Sequence, residues 1–111
     1  MSKINLTYKD RTYTLEFNRN SAALIEKQGF RLNEVESQPV IMVPLLIHGA
    51  FIMHHRGLNE EFINNIFDAV AKKSDLVRAL MNMYSEVALS YFDDDTEAEE
   101  DSGKNAIWAV E

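Results

Sequence analysis

Pro39-Val40-Ile41-Met42-Val43-Pro44-Leu45-Leu46-Ile47-His48-Gly49-Ala50-Phe51-Ile52-Met53-His54-His55-Arg56 is where the reading of the chain divides. As a strand, Val40 to Ile47 would lie at the centre of a sheet. Proline has no N–H to give to a ladder, and Pro44 would sit in the middle of that run. As a helix, the segment begins well: Ser37 is a plausible cap, Pro39 suits a first turn, and Pro44 is close enough to the start to be tolerated. The helical reading over 39–56 is therefore preferred, with Gly57 ending it. Such a helix is apolar on nearly all sides, which marks it as central or as part of an interface.

Working toward the C-terminus, Asn59 can cap the next helix, and Glu60 and Glu61 complement its dipole. Phe62, Ile63, Ile66, Phe67 and Val70 form one stripe at helical spacing, giving a helix over 59–72. Ser74 and Asp75 open a last helix over 74–92, with Leu76, Val77, Leu80, Met81, Tyr84, Val87, Ala88 and Tyr91 on one face. Toward the N-terminus, Asn33 to Ser37 is a short polar turn or loop. Asn20 or Ser21 can cap a helix over 20–28, closed by Gly29, with Phe30 folding back. Before it, Ile4-Asn5-Leu6-Thr7-Tyr8 and Tyr13-Thr14-Leu15-Glu16-Phe17 alternate apolar and polar around Lys9-Asp10-Arg11-Thr12. Two period-2 runs with a short link predict a β-hairpin over about 3–8 and 12–17, with Ile4, Leu6, Tyr8, Tyr13, Leu15 and Phe17 on one face. An isolated hairpin is marginal in water, so that face must pack on something. The fold class expected is α+β, mainly α: a hairpin followed by about four helices.

The 111 residues suit one domain, and their net charge of −7 is unevenly placed. Residues 1–92 carry ten acids and ten bases, whereas residues 93–111 carry eight acids and one base. The expected organisation is a neutral folded domain over 1–92 and an acidic, disordered tail over 93–111. The tail ends in Ala106-Ile107-Trp108-Ala109-Val110-Glu111, an apolar segment with the single Trp of the chain.

Several classes fall away. A neutral body with an acidic tail lacks the Lys and Arg surplus that phosphate contacts need, so no nucleic acid is expected. The absence of cysteine removes disulfides, thiolate nucleophiles and Cys-ligated zinc. Met-Ser-Lys-Ile-Asn is not a signal sequence, and the Val40–Ile47 run is far below the ~20 residues of a membrane span. A soluble cytoplasmic protein without a membrane partner is expected.

Catalytic and metal chemistry find little support. His48 and His55 are seven apart and would share a face of one helix, with His54 pointing elsewhere. Neither has a carboxylate three or four residues on, and a metal needs three or four converging ligands. His54-His55-Arg56 also suits a helix C-terminus. No Gly-rich phosphate loop or nucleophile elbow is present, and adjacent Glu60 and Glu61 diverge on a helix. Neither an enzyme nor a cofactor is expected.

The central helix has more apolar surface than a small bundle needs, so a homo-oligomer through the middle or last helix is expected. Candidate partner or oligomer contacts are Ile41, Leu45, Phe51, Ile52, Tyr84, Tyr91, Ile107 and Trp108. The tail has two readings: an inert solubilising extension, or a partner-binding segment anchored by Trp108.

The motifs Ile4-x-Leu6-x-Tyr8, Tyr13-Thr14-Leu15-Glu16-Phe17-Asn18-Arg19 and Glu26-Lys27-Gln28-Gly29-Phe30 resemble the tail assembly chaperones of long-tailed (siphovirus-type) phages and prophages of Gram-positive bacteria. The size, helical middle, acidic stretch and terminal Trp segment are similar as well. The resemblance implies a non-enzymatic protein that binds the tape measure protein, keeps it soluble, recruits tail tube subunits and leaves before the virion matures. Such families often add a longer, frameshifted product, and this chain would correspond to the short form. The alternative is a small phage regulator or inhibitor whose acidic tail occupies a basic partner site.

Overall fold

The computed structural model describes residues 2–92 and 109–110. Strand β1 (Lys3–Tyr8) pairs antiparallel with β2 (Arg11–Glu16), and four helices follow: α1 (Arg19–Lys27), α2 (Pro39–Ile52), α3 (Glu60–Ala69) and α4 (Lys73–Leu89). Short 3₁₀ turns cover Leu32–Glu34 and Ser90–Phe92. The class is α+β, mainly α.

The hairpin turns on two residues, Lys9 (φ 52°) and Asp10 (φ 65°). Two successive left-handed residues make the turn whose twist matches that of the strands it joins. This tight turn brings β2 forward to Arg11, one residue before the expected start, and sets Leu6 opposite Tyr13 and Ile4 opposite Leu15. All the apolar residues of the pair therefore lie on one face. Tyr13, Leu15 and Phe17 are buried against the helices, while Ile4, Leu6 and Tyr8 are half-buried.

Helix α1 starts earlier than expected, because Asn18 caps it rather than Asn20 or Ser21. The Asn18 side chain accepts from Ser21 N–H at 2.8 Å, and Ser21 Oγ accepts from Asn18 N–H at 3.0 Å. This reciprocal pair satisfies two backbone donors that a helix start leaves open. At the other end Gly29 adopts φ 108°, and Phe30 N–H reaches back to Ile25 C=O at 2.9 Å. Only a residue free of Cβ enters that conformation cheaply, and the closure folds Phe30 into the core as its sequence position suggests.

Helix α2 begins at Pro39 as expected, although Gln38 rather than Ser37 precedes it and no side chain caps it. It stops at Ile52, four residues short of the expected end at Arg56. The cause is tertiary. His54 Nε2 lies 2.9 Å from Glu16 Oε1, and His55 Nε2 accepts the Thr14 N–H at 3.0 Å. Both histidines turn toward β2, so the chain leaves the helix to meet the outer edge of the hairpin. Helix α3 is capped by Asn59, whose side chain accepts from Phe62 N–H at 2.8 Å, and it ends at Ala69 rather than residue 72. Helix α4 starts at Lys73 after Lys72 in a left-handed conformation (φ 56°), with neither Ser74 nor Asp75 as its cap.

The core is formed by Leu15 and Phe17 of the hairpin side, Ile25 and Phe30 around α1, Leu46, Ala50 and Phe51 of α2, Ile66 of α3, and Leu80 and Val87 of α4. Aromatic edges organise it: Phe30 meets Tyr84 at 4.9 Å between ring centres, and Tyr13 meets Phe51 at 6.0 Å. Helices α1 and α2 cross closely at Gly49, where a Cβ would stand 2.7 Å from Ile25 Cγ2. Among the described residues, no helix is long and apolar enough to cross a membrane.

Candidate partner-binding groove

An apolar groove of about 840 Å³ opens between the N-terminal half of α2, the end of α3 and the start of α4. Pro39, Val40, Val43, Pro44 and Ile47 form one wall, Phe67 comes from α3, and Val77 and Met81 come from α4. Val35 lies at its base. The stripe positions of α3 and α4 diverge here: Ile63, Ile66, Leu80 and Val87 point into the core, whereas Phe67, Val77 and Met81 turn toward the groove. Helix α2 supplies the third wall because it is apolar all round, so the side turned from the hairpin is apolar too.

The rim is polar. Glu36, Asn64, Asp68, Lys73, Ser74 and Arg78 surround the apolar floor. Lys73 Nζ donates to Val70 C=O at 3.0 Å and stands 5.9 Å from the Phe67 ring centre, while Arg78 meets Asp75 at 3.3 Å. Pro44, inside α2, has no N–H to give to the Val40 carbonyl one turn earlier. Apolar walls with a few polar groups at the edge match what binding sites for apolar side chains require.

The expected contact residues divide sharply. Ile41 is 56% exposed and adjoins Val40, which is 86% exposed at the groove rim. Leu45 and Ile52 are half-buried. Tyr91 is exposed beyond α4, with the Arg19 guanidinium 3.9 Å from its ring centre. Phe51 and Tyr84 are corrected: at 1% and 6% exposure they belong to the core. Phe51 faces Tyr13, and Tyr84 fills the space between Phe17 and Phe30 while its hydroxyl donates to the Glu26 carboxylate. Burial first, and then that carboxylate, hold the Tyr84 hydroxyl well above the ordinary tyrosine range. Ile107 and Trp108 lie outside the described residues, as does most of the expected disordered tail.

The groove walls Val43, Pro44, Phe67, Val77 and Met81 were read in sequence as core or as stripe. Nothing in a single helical stripe shows which of its members a neighbouring helix leaves uncovered. His48 and His55 do not converge: His48 Nε2 is 3.0 Å from Asn64 Oδ1, and His55 faces Thr14. Among the described residues, no group of three or more His, Cys, Asp or Glu is placed to hold a metal ion.

A family model described as a domain of unknown function, DUF5055, matches residues 1–111. The chain belongs to the DUF5055 family. No curated protein and no solved structure matches it. In this DUF5055 chain the groove presents apolar walls with a polar rim.

Proposed function

We propose that the chain is a non-catalytic tail assembly chaperone, which binds and solubilises the tape measure protein of a long-tailed phage and helps to recruit tail tube subunits. The observation that carries this reading is the apolar groove, continuous at its rim with exposed Val40 and Ile41. The resemblance of residues 4–30 to such chaperones supplies the partner. A tape measure protein is long and helical, with apolar faces that need cover until the tube surrounds it. A helix presents anchors every three or four residues, and a groove between helices accepts such a row. The acidic stretch 93–101 adds negative charge to any complex, which favours its solubility. The same reading places the protein in the host cytoplasm, outside the mature virion, and working as a homo-oligomer.

Co-expression with a phage tape measure protein is the test. Its soluble yield should rise, and the two should purify together. Met81→Glu, which places a charge on the groove wall, should abolish both effects while circular dichroism still shows a folded body. An unchanged tape measure yield with wild-type protein, and no co-purification, overturns the proposal.

A further inference from the structure

The two edges of the hairpin are not alike. We propose that the outer edge of β1 pairs antiparallel with the same edge of a second copy of this chain, joining two hairpins into one four-stranded sheet. This supplies the interface of the homo-oligomer, and it rests on the chaperone reading only for the expectation that the chain self-associates.

The backbone leads there first. In an antiparallel pair, alternate residues aim both backbone groups at the partner strand, and the residues between them aim theirs outward. The two-residue turn makes Tyr8 and Arg11 a bonded pair, so Leu6–Tyr13 and Ile4–Leu15 are bonded as well. Thr14 therefore points its groups away from β1, and it gives its N–H to His55 at 3.0 Å. By the same parity Lys3, Asn5 and Thr7 point theirs away from β2. Among the described residues, none bonds to the backbone of those three; Asn5 and Thr7 meet Thr14 and Thr12 through side chains alone.

One edge is closed and the other is open. On β2 the His55 ring stands on the Thr14 N–H, and His54 lies 2.9 Å from the Glu16 carboxylate, so a further strand is kept off. Exposed edges are commonly protected by proline, charge or a bulge. β1 has no proline, its only charge is Lys3, and its six residues pair with β2 without a bulge. A two-stranded ribbon is marginal alone, and two more strands relieve that.

The sequence of β1 also suits its own copy. With Asn5 on a two-fold axis, Lys3, Asn5 and Thr7 all exchange both backbone bonds, and Lys3 of each copy faces Thr7 of the other. Moving the axis to Lys3 would set like charges opposite each other and lose bonds. On the other face, half-buried Ile4 and Leu6 meet Leu6 and Ile4 of the second copy, so the apolar row continues across the seam. Charge agrees at both ends. Glu86 accepts from Ser2 Oγ at 3.2 Å, and in this register Ser2 faces Tyr8 of the second copy, with exposed Lys9 next in the chain. Each end thus brings an acid of one copy to a base of the other.

Sedimentation of the full chain should give a mass near twice 12.7 kDa that falls to the monomer on dilution, with no larger species. Hydrogen exchange reads the edge directly: the Asn5 and Thr7 amides should be protected in the dimer and open on dilution, whereas Leu6 stays protected in both. Asn5→Pro removes the N–H at the axis, at a position where an edge strand tolerates proline, and should leave only monomer with unchanged circular dichroism. The Thr7 variants do not depend on proline being accommodated. Opposite Lys3, and twice by symmetry, Thr7→Glu should tighten the dimer and Thr7→Lys weaken it, each about tenfold at low salt. A monomer at every concentration overturns the proposal. So does a dimer that survives Asn5→Pro or responds alike to both Thr7 variants, because its contact lies elsewhere. Met81→Glu should leave the dimer intact, and its loss there assigns the contact to the groove and overturns the proposal. No tape measure protein enters these measurements, so failure here leaves the co-expression test standing, and failure there leaves this one standing.

Discussion

His55 accepts a backbone hydrogen bond through the very nitrogen that a proton would occupy. Burial, and then the neighbouring His54, push its pKa below the ordinary 6.5. The unfolded ring therefore takes up its proton at higher pH than the folded one. Between the two values the unfolded state binds more protons, so acidification favours unfolding. This contribution to stability is complete above about pH 6.5, fades as pH falls through that window, and levels off once the folded ring is protonated too. The melting temperature should drop as the pH falls below about 6.5, before most carboxylates titrate. In His55→Gln, whose amide oxygen still accepts from Thr14 N–H, the same scan should be flatter. Equal slopes in both proteins would remove His55 as the cause.

At the scale of elements, α1 and α2 cross closely at Gly49. Alanine is the better helix former by ~0.8–1.0 kcal/mol, so an exposed glycine at that position would be improved by the change. Here the added carbon would stand 2.7 Å from Ile25 Cγ2 and 3.0 Å from Phe17 Cε1. Both side chains are fully buried, so neither has room to move aside. Overpacking of this kind costs ~1–3 kcal/mol, so Gly49→Ala should lower the denaturation midpoint despite its better propensity. A raised midpoint would show that the two helices separate at little cost. Which elements form was legible in sequence where a residue's neighbours in the chain decide the outcome. The period-2 runs, the Asn59 cap, and Gly29 with Phe30 are local signals of this sort. The end of α2 was not legible, because Glu16 and Thr14 attract His54 and His55 from 38 and 41 residues away. The groove was also hidden. An all-round apolar helix has no preferred face, so Phe51 and Val43 look alike until the hairpin covers one through Tyr13 and leaves the other at the groove. Tyr84 was misread for a related reason: its stripe gives the buried side of α4 but not the Glu26 carboxylate waiting for its hydroxyl.

For the molecule as a whole, the division of charge has a measurable outcome. Every buried apolar residue of the described core lies between Tyr13 and Val87. Removal of residues 93–111 should therefore leave a cooperative unfolding transition and an unchanged helical signal. It should also take the formal charge from −7 to zero, since ten acids and ten bases remain. A protein near zero net charge associates readily, and this one keeps an open apolar groove, so solubility near neutral pH should fall sharply. Loss of the unfolding transition on truncation would instead show that the last nineteen residues belong to the fold. The body itself is closed by contacts between distant parts of the chain: Arg19 donates to the Ser90 hydroxyl and carbonyl across 71 residues. That tie has a consequence for synthesis on the ribosome. The hairpin is made first, yet the last partner of its neighbouring helix is made more than seventy residues later. At about 5–20 residues per second, the wait is roughly 4–15 s. Throughout that interval Tyr13, Leu15 and Phe17 form an alternating apolar strand with its cover still incomplete. The oldest segment of the nascent chain thus waits longest for its full cover, and slower translation lengthens that wait.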